Sequence, residues 1–410
     1  MSDSDGRSTS PPDEPVMVGR LPGDAGPQAS VPATRSRKRL AAIWALIALP
    51  VAAVLLGLVL GGVVIVISSG FASGSFDLGA PFAAFGALAE GAGLFGNVNG
   101  FVNTLVQAAP LALGGLAVGV GFKAGLFNIG AQGQFLMGAL GSASVGAAVA
   151  SQPTVLAITM SLLAGALAGA FWGFIPGLLK AVTGAHEVVT TIMLNFIAGT
   201  LVGYLVTGPL GAPGFSFART GPIGNSALPI LFGRNLHLGV LIALIAVPVV
   251  WWLLYRSTIG FEVRTVGANP SAARYAGMSP RRLIVMTLSF CGLLAGLAGA
   301  GQILGISGFM NASYGTSIGF DSIAVALLGR AHPVGIMLAA LLFGAMRAGS
   351  GLMQIRAGIP VEIIDVIQAL ILLFLAADVI VRRILRLRVG GAGVDELQTV
   401  TRSYGEQSAP

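Results

Sequence analysis

The amino-acid sequence predicts an all-α polytopic membrane protein with about ten transmembrane helices and both termini in the cytoplasm. Of its 410 residues, 55% are hydrophobic and only 10% are charged, and the mean hydropathy is +0.86. Soluble domains carry about 25% charged residues to cover their water-facing surface, so this composition excludes a soluble globular protein. The 60 glycines are typical of membrane helices that approach one another closely.

Apolar runs of the length that crosses about 30 Å of hydrocarbon define the predicted spans. In chain order they are 41–68, 101–120, 131–150, 154–179, 187–208, 238–255, 284–305, 319–330, 334–350 and 361–381. The eighth run is too short to cross alone as an ideal helix. We therefore expect broken or short helices near 121–134 and 319–333, since discontinuous helices are common in transporters.

The distribution of charge predicts the orientation of these spans. A basic cluster at 35–39 precedes the first run, which places the N-terminus in the cytoplasm by the positive-inside rule. With ten crossings, few of the 23 basic residues fall at or near the outer side. These are Arg219, Arg234, Arg347 and Arg356. Adding or removing one span would spoil this asymmetry.

Three regions follow from the composition. Residues 1–34, rich in Ser, Pro, Asp and Gly, are predicted to be a disordered cytoplasmic tail. Residues 35–388 form the transmembrane domain, with a cytoplasmic loop at 256–283, and 389–410 form a C-terminal cytoplasmic tail. The net charge of +7 does not indicate nucleic-acid binding, because the basic residues lie at the ends of apolar runs. A single cysteine excludes an intramolecular disulfide.

The first stretch whose side chains are suited to a functional role is the sequence GFKAGLFNIGAQGQ at 121–134. Asn128, Gln132 and Gln134 bring amide groups to the mouth of a span, among glycines that allow a helix to break. One interpretation is a polar, uncharged lining for a hydroxyl- or amide-rich solute. The other is a cytoplasmic helix cap followed by hydrogen bonds between helices. The residues themselves leave both open.

A second stretch, HEVVTTIMLN at 186–195, places Glu187, Thr190, Thr191 and Asn195 near one helical face. A polar stripe on a membrane helix should face protein or water rather than lipid. We expect a structural role for Glu187, while Thr191 and Asn195 are candidates for a solute pathway.

The predicted cytoplasmic loop contains GANPSAARYAGM at 267–278. Asn269 suits a helix N-cap, Pro270 the first helical position and Gly277 the C-terminal stop, which predicts a short helix at about 271–276. Because nothing in the bilayer requires such a helix, we interpret it as a docking element for another protein. An ordinary positive-inside loop is the alternative.

A fourth stretch, GFDSIAVALLGRAHPVG at 319–335, predicts a short helix and a tight cytoplasmic turn. Asp321 is expected to cap the helix. His332 lies in the turn without a second ligand of suitable spacing, so no metal site is expected. No catalytic constellation is found, and a Walker A motif is excluded because none of the three lysines follows a glycine.

In their order and spacing, these four stretches resemble the permease subunits of ABC importers that handle simple sugars, nucleosides and branched-chain amino acids, and most closely the nucleoside/simple-sugar group. The similarity covers about 100–382. It implies a cell-membrane complex with a second permease subunit, cytoplasmic ABC ATPase subunits and an extracytoplasmic substrate-binding lipoprotein or protein. It also implies that the partner ATPase uses ATP and Mg²⁺, with no cofactor bound directly by this chain.

The resemblance further implies residue roles. The capped helix would be the coupling helix, seated in a cleft of the ATPase. Its residues are Asn269, Pro270, Ala272, Ala273, Arg274 and Gly277. The solute pathway would use Asn128, Gln132, Gln134, Thr191 and Asn195, with Phe127 available for stacking.

Nucleosides are the solute that the resemblance favours, and simple sugars or branched-chain amino acids are the alternatives. An ion-coupled secondary transporter is the main alternative from another class. It would need buried acids, and the last span offers only Glu362 and Asp365 near one end and Asp378 near the other.

Overall fold

The computed structural model of the chain describes residues 34–73 and 76–377. They form thirteen α-helices and a two-stranded hairpin. The helices are α1 (Thr34–Ser73), α2 (Ala80–Gly91), α3 (Val98–Lys123), α4 (Ala131–Ala148), α5 (Thr154–Thr183), α6 (Glu187–Thr207), α7 (Leu238–Arg256), α8 (Thr258–Ala268), α9 (Pro270–Tyr275), α10 (Pro280–Gln302), α11 (Ile318–Leu328), α12 (Pro333–Ala357) and α13 (Ile363–Ala376). A π-helical turn, Ile303–Ser307, extends α10, and a 3₁₀ turn spans Gly224–Ser226. The hairpin pairs β1 (Ile230–Phe232) with β2 (Leu236–His237).

The predicted all-α polytopic architecture is confirmed. Within the described ranges, seven helices are long and apolar enough to cross a membrane: α1, α3, α5, α6, α7, α10 with its extension, and α12. The other three predicted spans coincide with α4, α11 and α13, of which the last two are shorter apolar helices. The count of ten crossings and the orientation stay predictions.

The contacts divide the chain into a first unit, Met1–Trp44, and a second, Ala45–Pro410. Of the first unit, the structure describes the beginning of α1. The predicted tails at 1–34 and 389–410 lie outside the described residues except for Thr34, and Asp378 also lies outside them.

The breaks expected near 121–134 and 319–333 are present. Residues 124–130 separate α3 from α4 without helical structure, and α11 has only 11 residues. A reversal at 329–332 then leads directly into α12. It holds Arg330 and Ala331 at φ of 53° and 51°, a left-handed conformation that is unfavourable for side-chain-bearing residues.

Two helices were not predicted. α2 lies in a segment that the hydropathy pattern left unassigned, and α8 lies in the predicted cytoplasmic loop. α2 packs against the far end of α12, where a Cβ at Gly349 would overlap the backbone of Leu88 and where Glu90 pairs with Arg356. That end of α12 continues to Ala357, beyond the predicted boundary at residue 350. With 12 residues, α2 is shorter than the apolar run of about 20 residues that identifies a transmembrane helix in a sequence.

Close backbone contact explains the glycine content. Where α5 crosses α10, a Cβ at Gly169 would overlap the carbonyl oxygen of Gly292, and one at Gly292 would overlap that of Gly169. Helices in a membrane gain little from hydrophobic attraction, so van der Waals packing of small residues stabilises the crossing. The opposite side of α5 exposes Leu163, Leu167 and Phe171, as expected of an apolar outer surface.

Candidate functional site

The three amide side chains of the first stretch are drawn into the interior of the protein. Asn128 and Gln134 form a reciprocal pair: Nδ2 of Asn128 donates to Oε1 of Gln134 at 3.0 Å, and Nε2 of Gln134 donates to Oδ1 of Asn128 at 3.2 Å. Both side chains are almost completely inaccessible to solvent. Buried amides need such partners, because an unpaired polar group away from water is costly.

Asn195 stabilises the beginning of α4 from a neighbouring helix. Its Oδ1 accepts a hydrogen bond from the backbone N–H of Gly133 at 2.8 Å, and its Nδ2 donates to the carbonyl oxygen of Ile129 at 2.9 Å. The first N–H groups of a helix lack partners within it, and the N-cap residue Gly130 has no side chain to offer. Asn195 on α6 therefore supplies the missing acceptor.

Gln132 connects the beginning of α4 to the beginning of α11. The backbone N–H of Gly319 donates to Oε1 of Gln132 at 2.9 Å, and Nε2 of Gln132 donates to the carbonyl oxygen of Thr316 at 2.7 Å. A Cβ at Gly319 would overlap the backbone of Gln132. The N-terminal ends of two helices far apart in sequence are thus joined by one amide.

The remaining predicted pathway residues border this cluster. The buried hydroxyl of Thr191 donates to the carbonyl oxygen of Glu187 at 2.7 Å within α6. Glu187 is buried and pairs with Lys180 at 2.6 Å, which agrees with its expected structural role. The ring of Phe127 packs 4.9 Å from that of Phe122. Direct contact of the six pathway candidates with a solute stays a prediction, and their geometry favours the alternative of bonds between helices.

The loop predicted to be cytoplasmic contains the capped helix that the sequence predicts. Oδ1 of Asn269 accepts from the N–H of Ala272 at 3.0 Å, Pro270 begins α9, and Gly277 follows its end with φ of 82°. The helix begins at Pro270 rather than residue 271 and ends at Tyr275. It is not isolated, because α8 immediately precedes it.

The two sides of α9 differ in exposure. Ala273 is fully buried in an apolar cluster with Leu126, Val263 and Leu283, which joins α9 to the segment after α3, to α8 and to the beginning of α10. The opposite side is exposed and ends in Tyr275, whose side chain is 94% accessible. Ala273 therefore anchors the helix, while Tyr275 offers a large aromatic surface to another molecule.

Asp321 does not have the expected capping role. It lies in the first turn of α11, whose N-cap residue, Ser317, makes no side-chain cap bond to the backbone. Instead its carboxylate forms an ion pair with Arg347 on α12. The sequence predicts Arg347 at or near the outer side and does not indicate this pair, because two residues 26 positions apart on different helices leave no local signal.

Comparison with known proteins adds independent findings. The model of the family described as "Branched-chain amino acid transport system / permease component" matches residues 100–376. The guanosine ABC transporter permease protein NupP of Bacillus subtilis is 38% identical over 84% of this chain and 97% of its own length. The glucose ABC transporter permease protein TsgB13 of Haloferax volcanii is 37% identical over 69% of this chain and 78% of its own.

The nucleoside ABC transporter permease protein NupB of Lactococcus lactis is 36% identical over 70% of this chain and 81% of its own length. No solved structure matches.

Proposed function

Because this chain belongs to the family of permease components of the branched-chain amino acid transport system, we propose that it forms the membrane pathway of an ATP-driven ABC importer of nucleosides. It is a multi-pass protein of the cell membrane, with seven helices in its described part that are long and apolar enough to cross. The assignment of nucleosides as the substrate rests on the similarity of this chain to a permease named for guanosine, which covers almost the entire length of that permease.

A sugar is the second candidate, since a permease named for glucose is nearly as similar over a shorter part of the chain. An ion-coupled transporter receives less support, because Glu362 and Asp365 are exposed at the beginning of α13 rather than buried along a path.

ATP hydrolysis would take place in separate cytoplasmic subunits, which would bind ATP and Mg²⁺. The absence of any Gly-Lys pair in the sequence, which a Walker A motif requires, supports this assignment. The exposed side of α9, with Tyr275 at its end, is the surface that would enter a cleft of the ATPase. Tyr is enriched among the residues that dominate binding energy at protein interfaces. A second permease subunit and an extracytoplasmic binding protein would complete the importer.

A physical connection from the docking helix to the amide cluster supports this mechanism. Ala273 of α9 packs in the same apolar cluster as Ala124 and Leu126. Two and three residues after Leu126, Asn128 and Ile129 belong to the hydrogen-bonded cluster at the beginning of α4. Displacement of α9 by the ATPase would therefore move the short segment that holds α4, and through Gln132 also α11.

Uptake of radiolabelled guanosine tests the proposal in cells with and without the gene, with ribose, glucose and leucine as competitors. We expect uptake to be lost without the gene, restored by it and reduced only by nucleosides. Loss of glucose or leucine uptake without a nucleoside deficit would retain an importer and overturn the substrate. ATP hydrolysis by the purified chain alone would contradict the separate ATPase.

A further inference from the structure

A polar cluster lies on the face shared by α11 and α12. Nη2 of Arg347 pairs with Oδ2 of Asp321 and donates to Oγ of Ser317 at 2.9 Å. The same hydroxyl donates to Oδ2 of Asp321 at 2.8 Å. Each of the three side chains thus contacts the other two, and the charges of the cluster cancel.

The cluster lies deep along the membrane-crossing part of the chain. α11 has 11 residues, so it is ~16 Å long and covers about half of a ~30 Å hydrocarbon core. Its end joins α12 through the short reversal at 329–332, and its first turn lies beside the middle part of α12, where Asp321 pairs with Arg347. On α12, Arg347 lies ~21 Å from Pro333 and ~15 Å from Ala357 at 1.5 Å per residue. Arg347 therefore lies well inside α12, and Asp321, which pairs with it, lies at the same level of the two packed helices.

Within residues 34–73 and 76–377, which the structure describes, no other segment covers this cluster completely. The side chains of Arg347 and Asp321 are 19% and 21% accessible, Ser317 is exposed, and Phe320 beside them is 50% accessible. Ionisable side chains at this depth face water or protein, because hydrocarbon cannot solvate them. This face of α11 and α12 therefore belongs to a water-filled path or to a protein interface, and not to the lipid boundary.

We propose that Ser317, Phe320, Asp321 and Arg347 line the solute pathway and bind the sugar hydroxyls and the base of a nucleoside. This inference rests on the proposed function and assigns its binding site. The carboxylate of Asp321 accepts hydrogen bonds from two neighbouring hydroxyls, while the guanidinium of Arg347 donates to their oxygens. The exposed ring of Phe320 offers a stacking surface for the base.

The buried amide cluster has a supporting part in this arrangement. Gln132 binds the backbone of Thr316 and of Gly319, the residues on either side of Ser317 and Ile318. It thereby fixes the first turn of α11 and with it the direction of Ser317 and Asp321. Gln132 is a positioning residue, and the solute-binding surface lies one turn away from it.

Cysteine labelling tests whether water reaches the face shared by α11 and α12. The native thiol, Cys291, is the only one in the sequence and is fully buried, so the wild-type protein serves as the blank. Ser317→Cys and Phe320→Cys are made in the full transporter and treated in membrane vesicles of both orientations with a charged, membrane-impermeant thiol reagent. Leu167→Cys, at an exposed apolar position in the middle of α5, is the matched control.

We expect both variants to be labelled from at least one side, labelling to be slowed by guanosine, and the control to remain unlabelled. Failure to label either variant, or labelling that guanosine does not slow, overturns the inference. Guanosine uptake by the wild-type transporter is measured in parallel and reports on the proposed function by itself. A wild-type transporter that takes up no nucleoside overturns both.

Uptake kinetics test the chemistry of recognition. The wild-type transporter should prefer guanosine to 2′,3′-dideoxyguanosine, and Asp321→Asn should reduce that preference about tenfold through a higher KM for guanosine, as expected for loss of a charge-assisted hydrogen bond. Since this variant breaks an ion pair, Ser317→Ala, which preserves both charges, is measured beside it. Unchanged preference in both variants overturns the assignment of hydroxyl binding.

Discussion

Replacement of Asn195 by leucine separates a positioning role from direct contact with solute. In the wild-type protein the amide of Asn195 satisfies the N–H of Gly133 and the carbonyl of Ile129. Leucine has a similar size and removes both bonds. An unsatisfied buried backbone group costs about 1–3 kcal/mol. Because Gly133 is buried and Ile129 partly so, we expect a loss of roughly 2–4 kcal/mol.

The assay is the apparent unfolding temperature of the purified permease in detergent, together with KM for guanosine uptake. At about 2–4 °C per kcal/mol, the variant should unfold roughly 5–10 °C lower than the wild type. Its KM should remain unchanged at a temperature where it is folded. Thr200→Val is the matched control, because Thr200 lies on the same helix and bonds only to that helix.

An unfolding temperature equal to that of the control would refute the positioning role of Asn195. A normal unfolding temperature combined with a raised KM would instead establish that Asn195 contacts the solute, as the sequence interpretation has it. Both measurements are therefore needed.

The close crossing of α5 and α10 predicts that Gly169→Val abolishes the monodisperse fraction in size-exclusion chromatography, because the added side chain would overlap a backbone oxygen of α10. Gly199→Ala should leave that fraction unchanged, because a Cβ at Gly199 would lie in open space. The exposure of Tyr275 predicts that Tyr275→Ala lowers transport-coupled ATPase activity by about tenfold or more without loss of expression, as for other aromatic anchors. Tyr204→Ala, an exposed position on α6, should leave that activity unchanged. Burial lowers the pKa of His237 below its ordinary value, so the folded protein retains the neutral imidazole. Protonation of His237 in the unfolded state should then reduce the stability of the folded protein as the pH falls below about 6.5. The drop in unfolding temperature between neutral and mildly acid pH should therefore be smaller in His237→Gln than in the wild type.

The structure also changes how the coupling helix can be tested. Ala273, at the centre of the predicted docking motif, is buried in the apolar cluster beneath α9. Substitution of Ala273 by aspartate would place a charge in that cluster and detach the helix from α10. Such a variant reports on the stability of the loop, so Tyr275 is the position at which docking itself can be measured.

The class of protein, its principal spans and the caps of α9 follow from the sequence alone. Each depends on residues that are neighbours along the chain: a run of apolar side chains, or Asn269 followed at once by Pro270 and later by Gly277. Local patterns of this kind determine whether a segment enters a membrane and where a short helix begins and ends.

The partners of the polar side chains were decided only by the tertiary structure. Gln132 meets Gly319 across 187 positions, Asn195 meets Gly133 across 62, and Arg347 meets Asp321 on another helix. In hydrocarbon each polar group must bond to protein or water, but the sequence does not specify which helix supplies the partner. Helix packing makes that choice, and it placed the predicted amides inside the protein and the unpredicted ion pair on a partly exposed face.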